Sequence, residues 1–412
     1  MYGQNSWRKE EVRLKYVLQK FRNKRDKSLW DWEIENLKKE NRNMKKLLAL
    51  LMALAMAFAL VACGSSGGTT ADDGSASTSS GGTSADASSS AEGDSTGDTS
   101  GDLITIGFAQ VGHESDWRTA STESCQNVFT QENGYDLVFV DCDNDSAAQL
   151  QAVRNFIQQG VDYIIIDPIV STGWDTVLGE CEDAGIPVIV IDRTIDDSDN
   201  YAAWVGSDFT VEGKAAGEWL NAYAAERGID ISGILVINGT TGSSAQLGRT
   251  EGFNEVAEAY GWTILDEQDG DFTEAGGQEV MESYCQSYAG QFNVVVCQND
   301  NEAFGAMTAM DAAGITYGVD GDVILISFDS TSAGLEEVMA GNINANFECN
   351  PLAAPYVEEI IQQLEAGETP EQQVYMTEQW FTNGDVVPEF SVDGEAQEMT
   401  VVDQTVLDAR AY

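Results

Sequence analysis

The chain has 412 residues, 42% of them apolar, which suits two or three domains of roughly 100–200 residues with buried cores. It carries 21 Lys+Arg against 69 Asp+Glu, a formal net charge of −48; this excludes nucleic acid and anionic membrane surfaces as partners, because both bind Lys/Arg patches. A single histidine, His113, excludes sites built on two or more histidines, zinc sites of the H-E-x-x-H type among them.

The charge is uneven. Residues 1–46 hold 14 Lys+Arg and 7 Asp+Glu, whereas residues 47–412 hold 7 and 62. Met44-Lys45-Lys46 precedes sixteen apolar residues, 47–62, and then Cys63 and Gly64. A basic start, a short apolar run and small residues at its end make a secretory signal over 44–62, shorter than the ~20 residues of a membrane-spanning helix. Leu60-Val61-Ala62-Cys63 resembles a bacterial lipobox, and the resemblance implies cleavage before Cys63 and a diacylglycerol on its sulfur. Residues 1–43 fall outside that plan and are read as a non-native or extended leader, with the start at Met44. After lipidated Cys63, residues 64–102 are almost all Gly, Ser, Thr, Ala, Asp and Glu, so 63–102 is expected to be a disordered tether. Gly64-Ser65-Ser66-Gly67-Gly68 matches G-x-S-x-G but lacks the strand before and the helix after that the motif needs.

From residue 103 a regular alternation begins. Apolar runs at 103–109, 137–140, 163–166 and 188–191 alternate with helix-like stretches at 117–132, 147–159 and one ending at 184, before Gly185 and Pro187. The runs at 163–166 and 188–191 suit strands buried on both faces of a parallel sheet. The pattern restarts near Val205-Gly206-Ser207-Asp208. Strands at 234–237, 262–267, 294–297 and 323–327 then alternate with helices at 210–227, 245–260, 274–288, 302–313 and 332–340. Strand–helix alternation of this kind means βαβ units and parallel sheets. The fold class is α/β, with two similar Rossmann-like lobes, and ligands of such sheets sit beyond the carboxyl ends of the strands.

The residues just after those strands are carboxylates, carboxamides, arginines and aromatics. They are Glu114, Asp116, Trp117 and Arg118; Asp192 and Arg193; Asn238 and Arg249; Asp269, Asp271 and Phe272; Asn299 and Asp300; Asp329; and Glu348. A sugar hydroxyl is donor and acceptor at once, so carboxylates, Asn and the planar Arg fork suit it. Aromatic faces cover the C–H side of a sugar ring.

The segments IGFAQVGHESDWRTA, QAVRNFIQQGVDYIIIDPI, IPVIVIDRT, GRTEGF, GDFTEAGGQEVME, QNDNEAFGA and ISFDSTSAGL resemble sugar-binding proteins of bacterial ABC importers, in the ribose/galactofuranose branch of type I periplasmic binding proteins. The resemblance covers residues 103 to about 385. The first-loop ESDWR and Val170–Trp174 are most similar to the galactofuranose-binding subgroup; ribose binders usually carry two aromatics in that loop, and here Trp117 is alone. The resemblance implies two lobes joined by a three-strand hinge, with the ligand in the cleft. It implies that Trp117 stacks on the sugar, that Arg118 touches hydroxyls, that Asp192 and Arg193 clamp from the first lobe, and that Arg249, Phe272 and Asn299 close from the second. Asp329 is expected near the hinge, and Glu348 at a crossover strand. Glu114 and Asp271 complete the expected ligand set. Crossings are expected near Ser207, Glu348 and Gly384, giving a first lobe of 103–207 completed by 349–384 and a second of 208–348 completed by 385–412.

The function so implied is capture of a monosaccharide by hinge closure and delivery to an ABC permease, by a monomer lipid-anchored at Cys63 to the outer face of the cell membrane. A sugar-sensing receptor feeding a membrane kinase would use the same residues. No catalytic pair, cofactor or metal is expected. Asp141, Asp143 and Asp145 resemble half of a calcium loop, but Ser146 and Ala152 stand where it needs Gly and Glu, so helix capping is the reading. Six cysteines follow Cys63 at scattered spacings, with at most one or two bridges expected.

Overall fold

The computed structural model describes residues 103–412. The expected leader, the lipidation site Cys63 and the tether lie outside the described residues.

The first sheet begins with β1 (Ile104–Gln110), α1 (Asp116–Val128), β2 (Tyr135–Asp141), α2 (Ser146–Gln159), β3 (Tyr163–Ile166), α3 (Asp175–Ala184), β4 (Val188–Ile191) and β5 (Ala203–Gly206). The second holds β6 (Ile234–Asn238), β7 (Ile264–Asp269), β8 (Val294–Cys297), β9 (Ile324–Asp329) and β10 (Ala345–Glu348). Its helices are α4 (Phe209–Arg227), α5 (Ser244–Tyr260), α6 (Glu274–Ser287), α7 (Asp300–Ala313) and α8 (Ser332–Ala340). The chain then adds α9 (Ala354–Glu365), β11 (Gln373–Tyr375), β12 (Trp380–Thr382), the hairpin β13 (Phe390–Val392) and β14 (Glu395–Gln397), β15 (Met399–Val401) and α10 (Gln404–Ala409).

The sheet orders are β11-β5-β4-β3-β1-β2 and β15-β12-β10-β9-β8-β6-β7. All pairings are parallel except β10 with β12 and the small hairpin. Unbroken apolar runs are explained by burial on both faces. In β3, Ile164 and Ile166 enter one core while Tyr163 and Ile165 enter the opposite one. In β8, Val294 and Val296 divide from Val295 and Cys297 in the same way, as the two-residue strand period requires.

Helix starts follow the capping residues. Asp145 accepts from the main-chain N–H groups of Ala147 and Ala148, so the acidic 141–145 loop starts α2 as a cap. Helix α3 stops at Gly185, whose φ of 72° is the left-handed geometry that ends helices cheaply only at glycine.

One boundary needs correction. The third crossing was expected near Gly384, but β12 already pairs with β10 and β15 of the second sheet. Strand β11 pairs with β5 of the first sheet. The crossing therefore lies between Tyr375 and Trp380. These three-residue strands are too short for a periodic signal. The six described cysteines are all free thiols. Among the described residues no helix is long and apolar enough to cross a membrane.

Candidate functional site

The carboxyl ends of the two sheets face one cleft with about 270 Å³ of empty space, partly open to solvent. From the first lobe, the β1–α1 loop and the first turn of α1 supply Glu114, Ser115, Trp117 and Arg118, and the end of β4 supplies Asp192 and Arg193. From the second come Ala245 and Arg249 on α5, Phe272 after β7, Asn299 after β8 and Asp329 at the end of β9; Cys349 follows β10.

Buried ion pairs hold the first half. Arg118 Nε donates to Glu114 Oε1 at 2.7 Å, and its Nη1 pairs with Asp167 and, at 3.1 Å, with Asp192. Burial would lower the Arg118 pKa, but Asp167, Glu114 and Asp192 outweigh it and hold the guanidinium charged. Burial would raise the Glu114 carboxyl; the charges of Arg118 and Arg193 overcome it and leave it below the usual carboxylate range. Arg193 Nη1 donates to the Ile169 carbonyl at 3.1 Å. Glu114 Oε2 and Arg193 Nε are buried without a hydrogen-bond partner, the nearest carboxylate oxygen to Arg193 Nε being Asp192 Oδ2 at 3.9 Å. Buried polar atoms are nearly always satisfied, so two orphans beside one cavity point to a ligand.

The second half is held through Arg249. Its Nε donates to Glu212 at 2.6 Å, Nη1 to the Gln298 carbonyl at 2.5 Å and Nη2 to Asp329 at 3.3 Å. Burial pushes Glu212 up to about 7, against the pull of Arg249. Asn299 caps α7 by accepting from Glu302 N, and its Nδ2 donates to the Phe272 carbonyl at 3.0 Å. A Cβ at Gly239 would run into the Phe272 ring, so glycine there admits the aromatic beside the cavity. Asp192, Phe272 and Asp329 have φ of 57°, 61° and 91°, strained for non-glycine residues and held by the packing around them.

The lobes meet around the cavity. Asp116 N donates to Asn301 Oδ1 at 3.0 Å, Ser171 N to the Gly242 carbonyl at 3.0 Å and Thr194 N to Ser244 Oγ at 2.7 Å. Arg193 lies 5.3 Å from the centre of the Phe272 ring across the gap. This is a closed arrangement.

Nine residues expected from sequence line the cavity: Glu114, Trp117, Arg118, Asp192, Arg193, Arg249, Phe272, Asn299 and Asp329. Two do not. Asp271 is exposed, because the left-handed turn that buries Phe272 turns its neighbour outward. Glu348 is buried away from the cavity, held by Arg410, Tyr412 and the Gln379 N–H. Ser115 and Cys349 line the cavity and Asp167 braces Arg118. Each follows a strand, so the strand-end rule could have found them; Cys349 is the next residue after Glu348.

The lining carries three arginines and three carboxylates, Glu114, Asp192 and Asp329. Asp167 behind Arg118 and Glu212 behind Arg249 add two further carboxyls, so the site holds no surplus of positive charge for an anion and suits a neutral ligand rich in hydroxyls. Trp117 and Phe272 add two aromatic surfaces.

Comparison with known proteins agrees. A family model described as periplasmic binding protein domain matches residues 106–356. The galactofuranose-binding protein YtfQ of Escherichia coli K12 is 36% identical over 274 residues, 65% of this chain and 84% of that protein. A Mycobacterium smegmatis protein solved in complex with β-D-fucofuranose is 40% identical, with a TM-score of 0.65 over 68% of this chain and 92% of that one. The binding component of an arabinose ABC transporter from Shewanella sp. ANA-3, solved with α- and β-L-arabinofuranose, is 36% identical, with a TM-score of 0.63 over 68% and 91%.

Proposed function

The chain belongs to the periplasmic binding protein family, and on that premise we propose that its cavity takes one neutral sugar in the furanose form. The protein is a solute-binding protein that binds a sugar and works with an ABC-type importer. It works outside the cytoplasm, and it belongs to a non-catalytic family, so it is not an enzyme.

The observation that carries the sugar reading is the cavity between the lobes, lined by three arginines, three carboxylates and two aromatics. Six charged hydrogen-bonding groups at roughly 1.5–3 kcal/mol each give a gross ~9–18 kcal/mol against an association cost of about 4–15. A micromolar constant, about −8 kcal/mol, falls within that range. The furanose preference rests on the ligands named for its relatives. The ligand enters between open lobes, Trp117 and Phe272 cover the ring, and closure presents the joined lobe faces to the permease. The lipobox-like Leu60–Cys63 supports a lipid anchor at Cys63, to be checked by the mass of the membrane-extracted protein.

Calorimetric titration with sugars locked as methyl furanosides or as methyl pyranosides tests the ring preference. Binding confined to five-membered rings supports it. Equal or tighter binding of pyranosides overturns it and leaves the sugar-receptor assignment standing.

A further inference from the structure

The three segments that cross between the lobes each send one polar side chain to a single point. Ser207 follows β5, Cys349 follows β10 and Glu378 lies between β11 and β12. Glu212, in the first turn of α4, is the fourth. One ligand atom each of Glu212, Cys349 and Glu378 lie within 4.8 Å of one another. Ser207 Oγ stands 3.4 Å from Cys349 Sγ and hydrogen-bonds Glu378. Tetrahedral ligands at roughly 2.0–2.3 Å from zinc sit about 3.3–3.8 Å from one another, so small side-chain shifts convert this cluster into a coordination shell.

A second observation points the same way. Glu212 is fully buried and gives Oε2 to Arg249, while Oε1 has no hydrogen-bond partner. A buried carboxylate oxygen without a donor is costly unless something occupies it at times.

We propose that the hinge binds a divalent cation of the zinc type through Glu212, Cys349 and Glu378, with the Ser207 hydroxyl as fourth ligand. A sulfur donor favours zinc over calcium or magnesium, which take oxygen ligands. The site uses no histidine, so the single histidine of the chain does not exclude it. Two carboxylates and a thiolate supply the anionic donors a divalent cation needs, each giving up its proton as the cation binds. Arg249 orients Glu212, and Asn350 N donates to Glu378 Oε1 at 3.3 Å, so two of the ligands are themselves held. Glu378 also lines a solvent-open groove with Asp208, Tyr375 and Trp380, which brings one side of the cluster to the surface. Because the ligands come from all three crossings, the cation ties the hinge in one arrangement. Its affinity and that of the cleft ligand then shift by the same factor.

The test is titration of the full chain, freed of metal by chelation, with Co²⁺ alone and then Zn²⁺. One equivalent of Co²⁺ is expected to produce a thiolate-to-cobalt charge-transfer absorption, which Zn²⁺ abolishes by displacement. Cys349→Ala is expected to lose that absorption, and Glu378→Gln to weaken Zn²⁺ binding at least tenfold. A wild-type chain, shown folded by circular dichroism, that gives no charge-transfer absorption overturns the proposal. So does an absorption that persists in Cys349→Ala, since it would belong to another cysteine. No sugar is present, so failure here leaves the sugar reading untouched.

Discussion

Trp117 Nε1 donates a hydrogen bond of 2.6 Å to the main-chain oxygen of Cys349. The ring beside the cavity is thereby fastened to the second crossing between the lobes, so ring position and hinge state are linked. Trp117→Phe keeps an aromatic face and loses this bond, worth roughly 0.5–1.5 kcal/mol. Sugar affinity is expected to fall about two- to tenfold. Trp117→Ala loses the ring as well, with a fall of about a hundredfold by calorimetry.

Arg118 and Asp167 form a fully buried ion pair beneath the cavity. Asp167 lines none of the cavity, so its removal tests scaffold strength. Removing one partner of such a pair costs about 3–5 kcal/mol. Asp167→Ala is expected to lower ligand-free stability by that amount in equilibrium denaturation, and Asp167→Asn by less, since an amide oxygen still accepts from Arg118.

Glu348 separates a hinge anchor from a sugar ligand. Tyr412 OH donates to it at 2.7 Å, Arg410 Nη1 lies 2.8 Å away and Gln379 N donates at 2.7 Å. Tyr412→Phe removes one hydrogen bond to a charged group, about 1.5–3 kcal/mol. Stability is expected to fall by that order while sugar affinity stays within twofold. Unchanged stability with a tenfold loss of affinity would return Glu348 to the cavity. Exposed Asp271, changed to Asn, which tolerates the same left-handed φ of 56°, is expected to leave both quantities within error.

Thiol reactivity gives an independent check of the packing. The thiolate is the reactive form. Burial, aided by nearby carboxylates, pushes Cys142 up to about 12 and Cys181 up to about 11. Cys285 alone of the described cysteines is half-buried. Among the described cysteines, iodoacetamide is therefore expected to modify Cys285 first in the native protein, as mapped by peptide mass spectrometry. Equal labelling of Cys125 or Cys297 would contradict the described cores.

The α/β alternation and most of the cavity were legible because both depend on local patterns. Val188–Ile191 reads as a buried strand from four β-branched residues, and Asp192-Arg193 inherits its place from that strand end. The third crossing was not legible. Trp380–Thr382 joins the second sheet through an antiparallel pairing with β10, some 35 residues earlier in the chain, and three residues carry no period. Glu348 and Cys349 show the resolution of the strand-end rule: it finds the turn, while the backbone direction decides which of two adjacent side chains faces the ligand.

The central claim is that the arginine- and carboxylate-lined cavity between the lobes binds a sugar. Intrinsic tryptophan fluorescence of ligand-free protein, titrated with arabinose, galactose, ribose, xylose, fructose, glucose and galactofuranosides, tests it directly. The expected result is a saturable response at micromolar concentration or below to at least one furanose-forming sugar, abolished in Arg193→Ala. No response to any of these sugars, from wild-type protein shown to be folded, would contradict it.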